Sequence, residues 1–175
     1  MLPPLFEGKT ACCFTGHRPR GLPKHGNECS SSMILLKHTL LQAVEEAVNY
    51  GITTFLTGGA EGFDTLAAEA VLALRGDYPA LHLVLSLPSK VQSEAYSPSM
   101  QARYARILSA ADSVFYASDI DNGPHAMRCR NRYLVDHAEC CIAYLARAVG
   151  GTLYTVNYAY DRNVPVFNLY EFVKS

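Results

Sequence analysis

Residues 53–74 read TTFLTGGAEGFDTLAAEAVLAL. A β-branched and aromatic run ends in Gly58, Gly59, Ala60, Glu61 and Gly62, and a pattern with helical spacing follows. A strand that breaks through glycines directly into a helix is the βα unit of a parallel sheet. A chain that repeats this unit folds as a parallel sheet covered by helices.

It does repeat. Upstream, "TACCFTG" (10–16) is a strand, and the polar loop "HRPRGLPKHGNECSSS" (17–32) follows it. Met33, Leu36, Leu40, Leu41, Val44, Ala47 and Val48 then recur at helical spacing, with serines to cap the start and Gly51 to end the run. Downstream, "LHLVLSLP" (81–88) is nearly continuous in apolar residues, as in a strand covered on both faces. Ser97-Pro98 marks an N-cap and first helical position, and that helix extends to about Ala111. "SVFYAS" (113–118) is the fourth strand, Met127 to His137 a helix, "CCIAYL" (140–145) the fifth strand, "GTLYTVNYAYDR" (151–162) a helix and "VPVFNL" (164–169) the sixth strand. The expectation is an α/β fold: a three-layer α/β/α Rossmann-like sheet, mostly parallel, of about six strands, in a single domain over 1–175. Phe14, Phe55, Phe115 and Tyr116 fall in strands and are expected in the core.

A chain of 175 residues is long enough for one well-buried core. With 49% hydrophobic residues, 18% charged residues and a net charge of −1, the composition favours neither a polyanion coat nor a membrane surface. No apolar run approaches the ~20 residues that span a bilayer, and no basic segment leads into an apolar one at the start, so the expected location is the cytoplasm with no membrane partner. Cys12-Cys13 and Cys140-Cys141 lie in strands, where neighbours point to opposite faces, so neither pair reads as a disulfide or metal clip. His25, His38, His82 and His137 have no ligand spacing. Neither a metal site nor a bound cofactor is expected.

Ligands of such sheets sit beyond the carboxyl ends of the strands. The turn at Gly58-Gly59 lets backbone approach a ligand, and the helix that starts near Gly62 presents unpaired amides with partial positive charge. Its spacing, Gly-Gly-x-x-Gly, is not the dinucleotide fingerprint. The turn either faces a phosphate or is a plain tight connection. Asp64, in the first turn of the helix, either caps those amides itself or accepts from a ribose hydroxyl. A second glycine turn, Gly150, Gly151 and Thr152, stands at another strand's end. Between the two, "MRCRNRYLVDH" places Arg128 and Arg132 one helical turn apart beside Asn131, either as a phosphate clamp or as a solvated ladder with Asp136. "TGHRPRG" adds Gly16, His17 and Arg18 at the same edge.

With "CCFTGHRP", "TGGAEGFDTLAAEAV", "RNRYLVDHAECCIAY" and "GGTLYTVNYA" in this order over nearly the whole chain, the sequence resembles the YpsA-like family of the SLOG superfamily. That resemblance implies a Rossmann-like sheet shared with the LOG phosphoribohydrolases and with the single-stranded-DNA-binding protein DprA. It also implies a nucleotide-derived ligand and, as in many relatives, a homodimer. The turn "TGGAEGFD" is similar to the glycine motif of DprA and to the first glycine motif of LOG.

One departure bears on chemistry. LOG carries a glutamate three positions after its Gly-Thr pair, whereas Thr155 stands three places after Thr152 here. Without that carboxylate the LOG cleavage of an N-glycosidic bond does not carry over as it stands. Asp64 remains the acid best placed for a catalytic or ribose-binding role, and Glu69, deeper along the helix, reads as a solvated carboxylate. The ligand-binding set is therefore Gly16, His17, Arg18, Gly58, Gly59, Ala60, Gly62, Phe63, Asp64, Arg128, Asn131, Arg132, Gly150, Gly151 and Thr152. The leading function is binding of a nucleoside monophosphate, NAD or ADP-ribose type of ligand, to sense or process it. A LOG-like phosphoribohydrolase and DprA-like binding of single-stranded DNA are the alternatives. Nucleic acid is the less favoured partner, because acids are at least as numerous as bases and Tyr154, Tyr158 and Tyr160 do not share one helical face.

Overall fold

The computed structural model describes residues 4–174, so residues 1–3 and 175 of the expected domain lie outside the described residues. Six strands and six helices alternate: β1 (Ala11–Gly16), α1 (Ser31–Asn49), β2 (Thr54–Thr57), α2 (Phe63–Leu74), β3 (His82–Ser89), α3 (Pro98–Ala110), β4 (Ser113–Ser118), α4 (Pro124–Asp136), β5 (Cys140–Tyr144), α5 (Gly150–Asp161), β6 (Val166–Asn168) and the short α6 (Tyr170–Val173). The sheet is parallel throughout, in the order β4-β3-β2-β1-β5-β6.

Handedness explains which face each helix covers. Crossovers between parallel strands are right-handed, so the march from β1 out to β4 puts α1, α2 and α3 on one face. The chain then returns past β1 to β5 and moves the opposite way, which puts α4 and α5 on the other face. Two cores result. Phe14, Phe55, Leu83 and Leu85 meet Met33, Leu36, Leu40, Val44, Leu66, Val71 and Ile107 on the first face. Cys13, Leu56, Cys141 and Ala143 meet Leu134, Val135, Val156 and Ala159 on the second. Each fully buried Leu or Phe contributes roughly 1.5–3 kcal/mol.

Local signals set the helix ends. Ser30 Oγ accepts from Met33 N at 3.3 Å to cap α1, and Gly51 takes φ +109° just beyond the helix. Ser97 caps α3 in the same way, with Pro98 at its first position. All six cysteines are free; in the register of β1 and β5, Cys12 lies beside Cys140 and Cys13 beside Cys141, one pair on each face.

Two side-chain expectations change. Phe115 and Tyr116 are half-buried, because β4 is an edge strand: Phe115 faces α4 on the second face, and Tyr116 packs at the margin of the first core. Phe115 instead stacks on Tyr133 of α4, with ring centroids 4.0 Å apart. Glu69 is a bridged group and not a free solvated one: Arg103 of α3 donates to it from Nε at 2.5 Å and Nη2 at 2.6 Å, and from Nη1 to Glu28 at 2.5 Å. No helix among the described residues is long and apolar enough to cross a membrane.

Strand order reverses between β1 and β5, where the chain leaves the two strand ends toward opposite faces. That divergence opens a crevice at the carboxyl edge.

Candidate functional site

The glycine turn after β2 is filled by the protein itself. Arg130, on α4, reaches across the sheet edge and donates from Nη1 to Gly58 O at 2.6 Å and to Asp64 Oδ2 at 3.3 Å. A Cβ on Gly58 would overlap this guanidinium, so the glycine makes room for an arginine. Gln92 Nε2 donates to the same Gly58 O at 3.3 Å. Asp64 Oδ2 also accepts from Ala60 N of the turn at 3.3 Å, and Phe63 N, the first amide of α2, donates to His17 O at 3.1 Å. Asp64 therefore braces the glycine turn and pairs with Arg130, and does not cap the amides of α2.

Burial raises the Asp64 carboxyl above its ordinary range, against the pull of Arg130 and then Arg18. It also lowers the Arg130 guanidinium, which nonetheless starts so high that it stays cationic. Ser86 Oγ donates to Arg130 O at 3.0 Å and pins this point of α4 onto β3.

Beside this pair lies a cavity of about 430 Å³ between the ends of β1 and β5. Its floor carries Asp64, Ala60, Arg130 and Asn131; Arg130 is 7% exposed, and its Nε is buried without a hydrogen-bond partner among the described residues. One wall is the start of α5, formed by Gly150, Gly151 and Thr152. That helix has no side-chain cap, so its first amides and the positive end of its dipole face the cavity. Asn131 lies against it, since a Cβ on Gly151 would sit 3.9 Å from Asn131 Nδ2. The opposite wall is the loop after β1, with Gly16, His17, Arg18, Arg20 and Gly21, and Arg147 closes the β5 side.

His17 ties the two strand ends together. Its Nε2 accepts from Ala146 N at 3.1 Å and Arg147 N at 3.2 Å, which fixes the neutral ring with its proton on Nδ1. Burial, and then the Arg147 charge, lower its pKa, so His17 is a neutral positioning group and not a base at Nε2.

The structure thus gathers Gly16, His17, Arg18, Ala60, Asp64, Asn131, Gly150, Gly151 and Thr152 around one cavity. Gly58, Gly59, Gly62 and Phe63 lie outside its lining. Gly58 backs Arg130; a Cβ on Gly59 would meet Leu87 at 2.6 Å, and one on Gly62 would meet His17 O at 2.6 Å; Phe63 is fully buried against Gly16. Arg128 and Arg132 face a separate depression with Phe115, His125 and Tyr133, and Arg132 Nε donates to Tyr154 Oη at 2.8 Å. Two residues along a helix turn about 200°, so Arg128 and Arg132 point away from the face that carries Arg130.

Arg130, Arg20 and Arg147 were not singled out in the sequence. The signal for Arg130 was present: it interrupts the buried stripe Ala126, Arg130, Leu134, where an arginine is out of place unless it is paired. Thr155, at the LOG glutamate position, is fully buried and donates to Gly151 O at 2.9 Å, so Asp64 is the one carboxylate among the residues lining the cavity.

The family model described as the YspA SLOG family matches residues 12–163, and the chain belongs to that family. The SPbeta prophage-derived protein YoqJ of Bacillus subtilis (strain 168) is 30% identical over 140 residues, 73% of this chain and 82% of that protein. A UPF0398 protein of Leuconostoc citreum (strain KM20) is 24% identical over 132 residues, 75% of this chain and 69% of that protein. Among solved structures, DNA processing protein A of Helicobacter pylori, described for its single-stranded DNA binding mode, matches with a TM-score of 0.63 at 18% identity. DprA of Streptococcus pneumoniae matches with a TM-score of 0.59 at 18% identity. Each alignment covers 94% of this chain but only 66% and 51% of those chains, and at this identity the likeness concerns the fold alone.

Proposed function

We propose that this member of the SLOG family binds a nucleotide-derived small molecule in the crevice between β1 and β5, to sense or process it. One observation carries the reading: Arg130, buried with its Nε unpartnered, faces a cavity whose wall is the uncapped start of α5. A charged group kept dry and half-used calls for an anion, and a helix N-terminus suits a phosphate. The phosphate rests on Gly150, Gly151 and Thr152, with Asn131 and Arg130 beneath it. Asp64 accepts from a ribose hydroxyl or, if there is turnover, serves as the polar catalytic group.

Ligand-observed NMR with nucleoside monophosphates, NAD and ADP-ribose, followed over hours, tests this. Broadening of nucleotide signals that disappears in Arg130→Met is expected. Free base or ribose phosphate appearing with time would make the protein a hydrolase with Asp64 in a new role, and no effect of any nucleotide would overturn the reading.

Binding of single-stranded DNA is the second reading, favoured by the likeness to DprA and by the depression between α4 and β4. There the rings of Phe115, Tyr133 and His137 stack at 4.0 and 3.8 Å beside Arg128. Bases stack on such rings, and cations follow the backbone. Oligonucleotide affinity falling steeply with salt, and lost in Arg128→Ala with Tyr133→Ala, would establish it; affinity that neither responds to salt nor to these changes would remove it.

A further inference from the structure

The charges around the cavity say more about the ligand than that it is anionic. Arg18, Arg20, Arg130 and Arg147 line it against a single carboxylate, Asp64, a net of +3 from four cations and one anion. Arg18, Arg20 and Arg147 are exposed at the rim, and among the described residues none of the three is in a salt bridge. Away from the cavity, Arg75 pairs with Asp112, Arg103 with Glu28 and Glu69, and Arg162 with Asp136, while Arg106, Arg128 and Arg132 are likewise in no salt bridge among the described residues. On a chain with a net charge of −1, these guanidinium groups concentrate positive charge at one opening.

A phosphomonoester brings about −1.5 to −2 at neutral pH and would leave at least one of those cations uncompensated. The cations also belong to two groups on different elements. Arg147 stands in the loop that leads into α5, beside the uncapped amides. Arg18 stands after β1, close enough to Asp64 and Arg130 to act on both carboxyl and guanidinium. His17 holds the two loops together through its bonds to Ala146 N and Arg147 N, so the spacing of the groups is fixed before any ligand arrives.

We propose that the ligand is a nucleotide carrying two phosphate groups, one on the start of α5 above Arg130 and Asn131 with Arg147 beside it, and the other between Arg18 and Arg20. This rests on the reading of the crevice as a nucleotide site. Calorimetric titration with AMP, GMP, CMP and UMP, their 5′-diphosphates and their 3′,5′-bisphosphates, without added divalent cation, decides both questions separately. The expected result is a two-phosphate nucleotide bound at least tenfold more tightly than its monophosphate. In Arg18→Ala/Arg20→Ala that preference should shrink to less than threefold. A preference below tenfold in the wild type, or one that persists in the variant, overturns the two-anchor proposal but leaves the nucleotide site standing. Failure of every nucleotide to bind, with the protein folded by circular dichroism, overturns the nucleotide site and this proposal with it.

Discussion

Arg130 Nη1 and Asp64 Oδ2 stand 3.3 Å apart, with 8% of each side chain exposed, and the same Nη1 holds Gly58 O at 2.6 Å. The two halves of this pair differ in how they tolerate loss of the other. Asp64 can take up a proton, the direction in which burial already pushes it, whereas Arg130 cannot shed one. Asp64→Asn is therefore expected to destabilise by about 3 kcal/mol and Arg130→Met by about 2, with the double variant costing less than their sum. In Arg130→Met the folded carboxyl lies above its unfolded value near 3.8, so that variant is least impaired near pH 4 and loses stability as pH rises through the folded value. Urea unfolding of the four proteins across pH checks this; additive costs independent of pH would show the pair to be uncoupled.

The same contact makes Gly58 the most exacting glycine of the turn. Its Cβ would occupy the place of Arg130 Nη1, so Gly58→Ala must expel the guanidinium or shift the turn, at a cost of about 1–3 kcal/mol. Ligand affinity should be lost with it, although Gly58 does not line the cavity. Gly76 has open space around it and no positive φ, so Gly76→Ala is expected to be neutral or to stabilise by about 0.5 kcal/mol. Thermal unfolding and nucleotide titration of both variants give the comparison, and equal behaviour would remove the steric argument.

The loop after β1 stores strain. Lys24 (φ 47°, ψ 37°) and His25 (φ 55°, ψ 34°) precede Gly26 (φ 78°), three left-handed residues in succession. A left-handed L-residue costs roughly 1–2 kcal/mol, and glycine gives back part of that through its greater freedom when unfolded. His25→Gly is expected to stabilise by about 0.5–1 kcal/mol, and His25→Val to destabilise by more than 1, since His25 is exposed and has no packing to lose. Chemical denaturation separates the two, and a destabilised His25→Gly would mean the side chain has a role that conformation does not explain.

The strand and helix sequence was legible because each βα unit announces itself: TTFLT breaks at Gly58, CCIAY gives way to Gly150, and buried strands are apolar throughout. Right-handed connection then leaves little freedom in which face each helix covers. The candidate site was legible where backbone carries it, at Gly150, Gly151 and the turn around His17, and in part at Arg18, Asp64 and Asn131, which line the cavity. Side chains that act across elements were not. Arg128 and Arg132 stand out in the sequence, but helical phase turns them outward, and the residue between them reaches Gly58 through a contact 72 residues away in the chain. The glycine pair at 58–59 drew attention as a place for phosphate; glycine shows only that something must come close, and here it is a guanidinium.

His17 offers a further check, because its ring is held by donors that require it to be neutral. Protonation at Nε2 would turn the acceptor of the Ala146 and Arg147 amides into a donor facing two donors. Its pKa is lowered in the folded protein from an ordinary value near 6.5, first by burial and then by Arg147. The unfolded chain therefore binds the proton more readily, and the stability His17 confers is complete above about pH 6.5 and is lost as pH falls toward the folded value. His17→Gln keeps an acceptor near the Nε2 position without a titrating ring, so its unfolding free energy should vary less between pH 7 and 5 than the wild type's. His17→Leu leaves both amides without an acceptor and should cost about 1–3 kcal/mol at pH 7. A His17→Gln profile as steep as the wild type's would assign the acid sensitivity elsewhere, and an undisturbed His17→Leu would mean the two loops are held together without the ring.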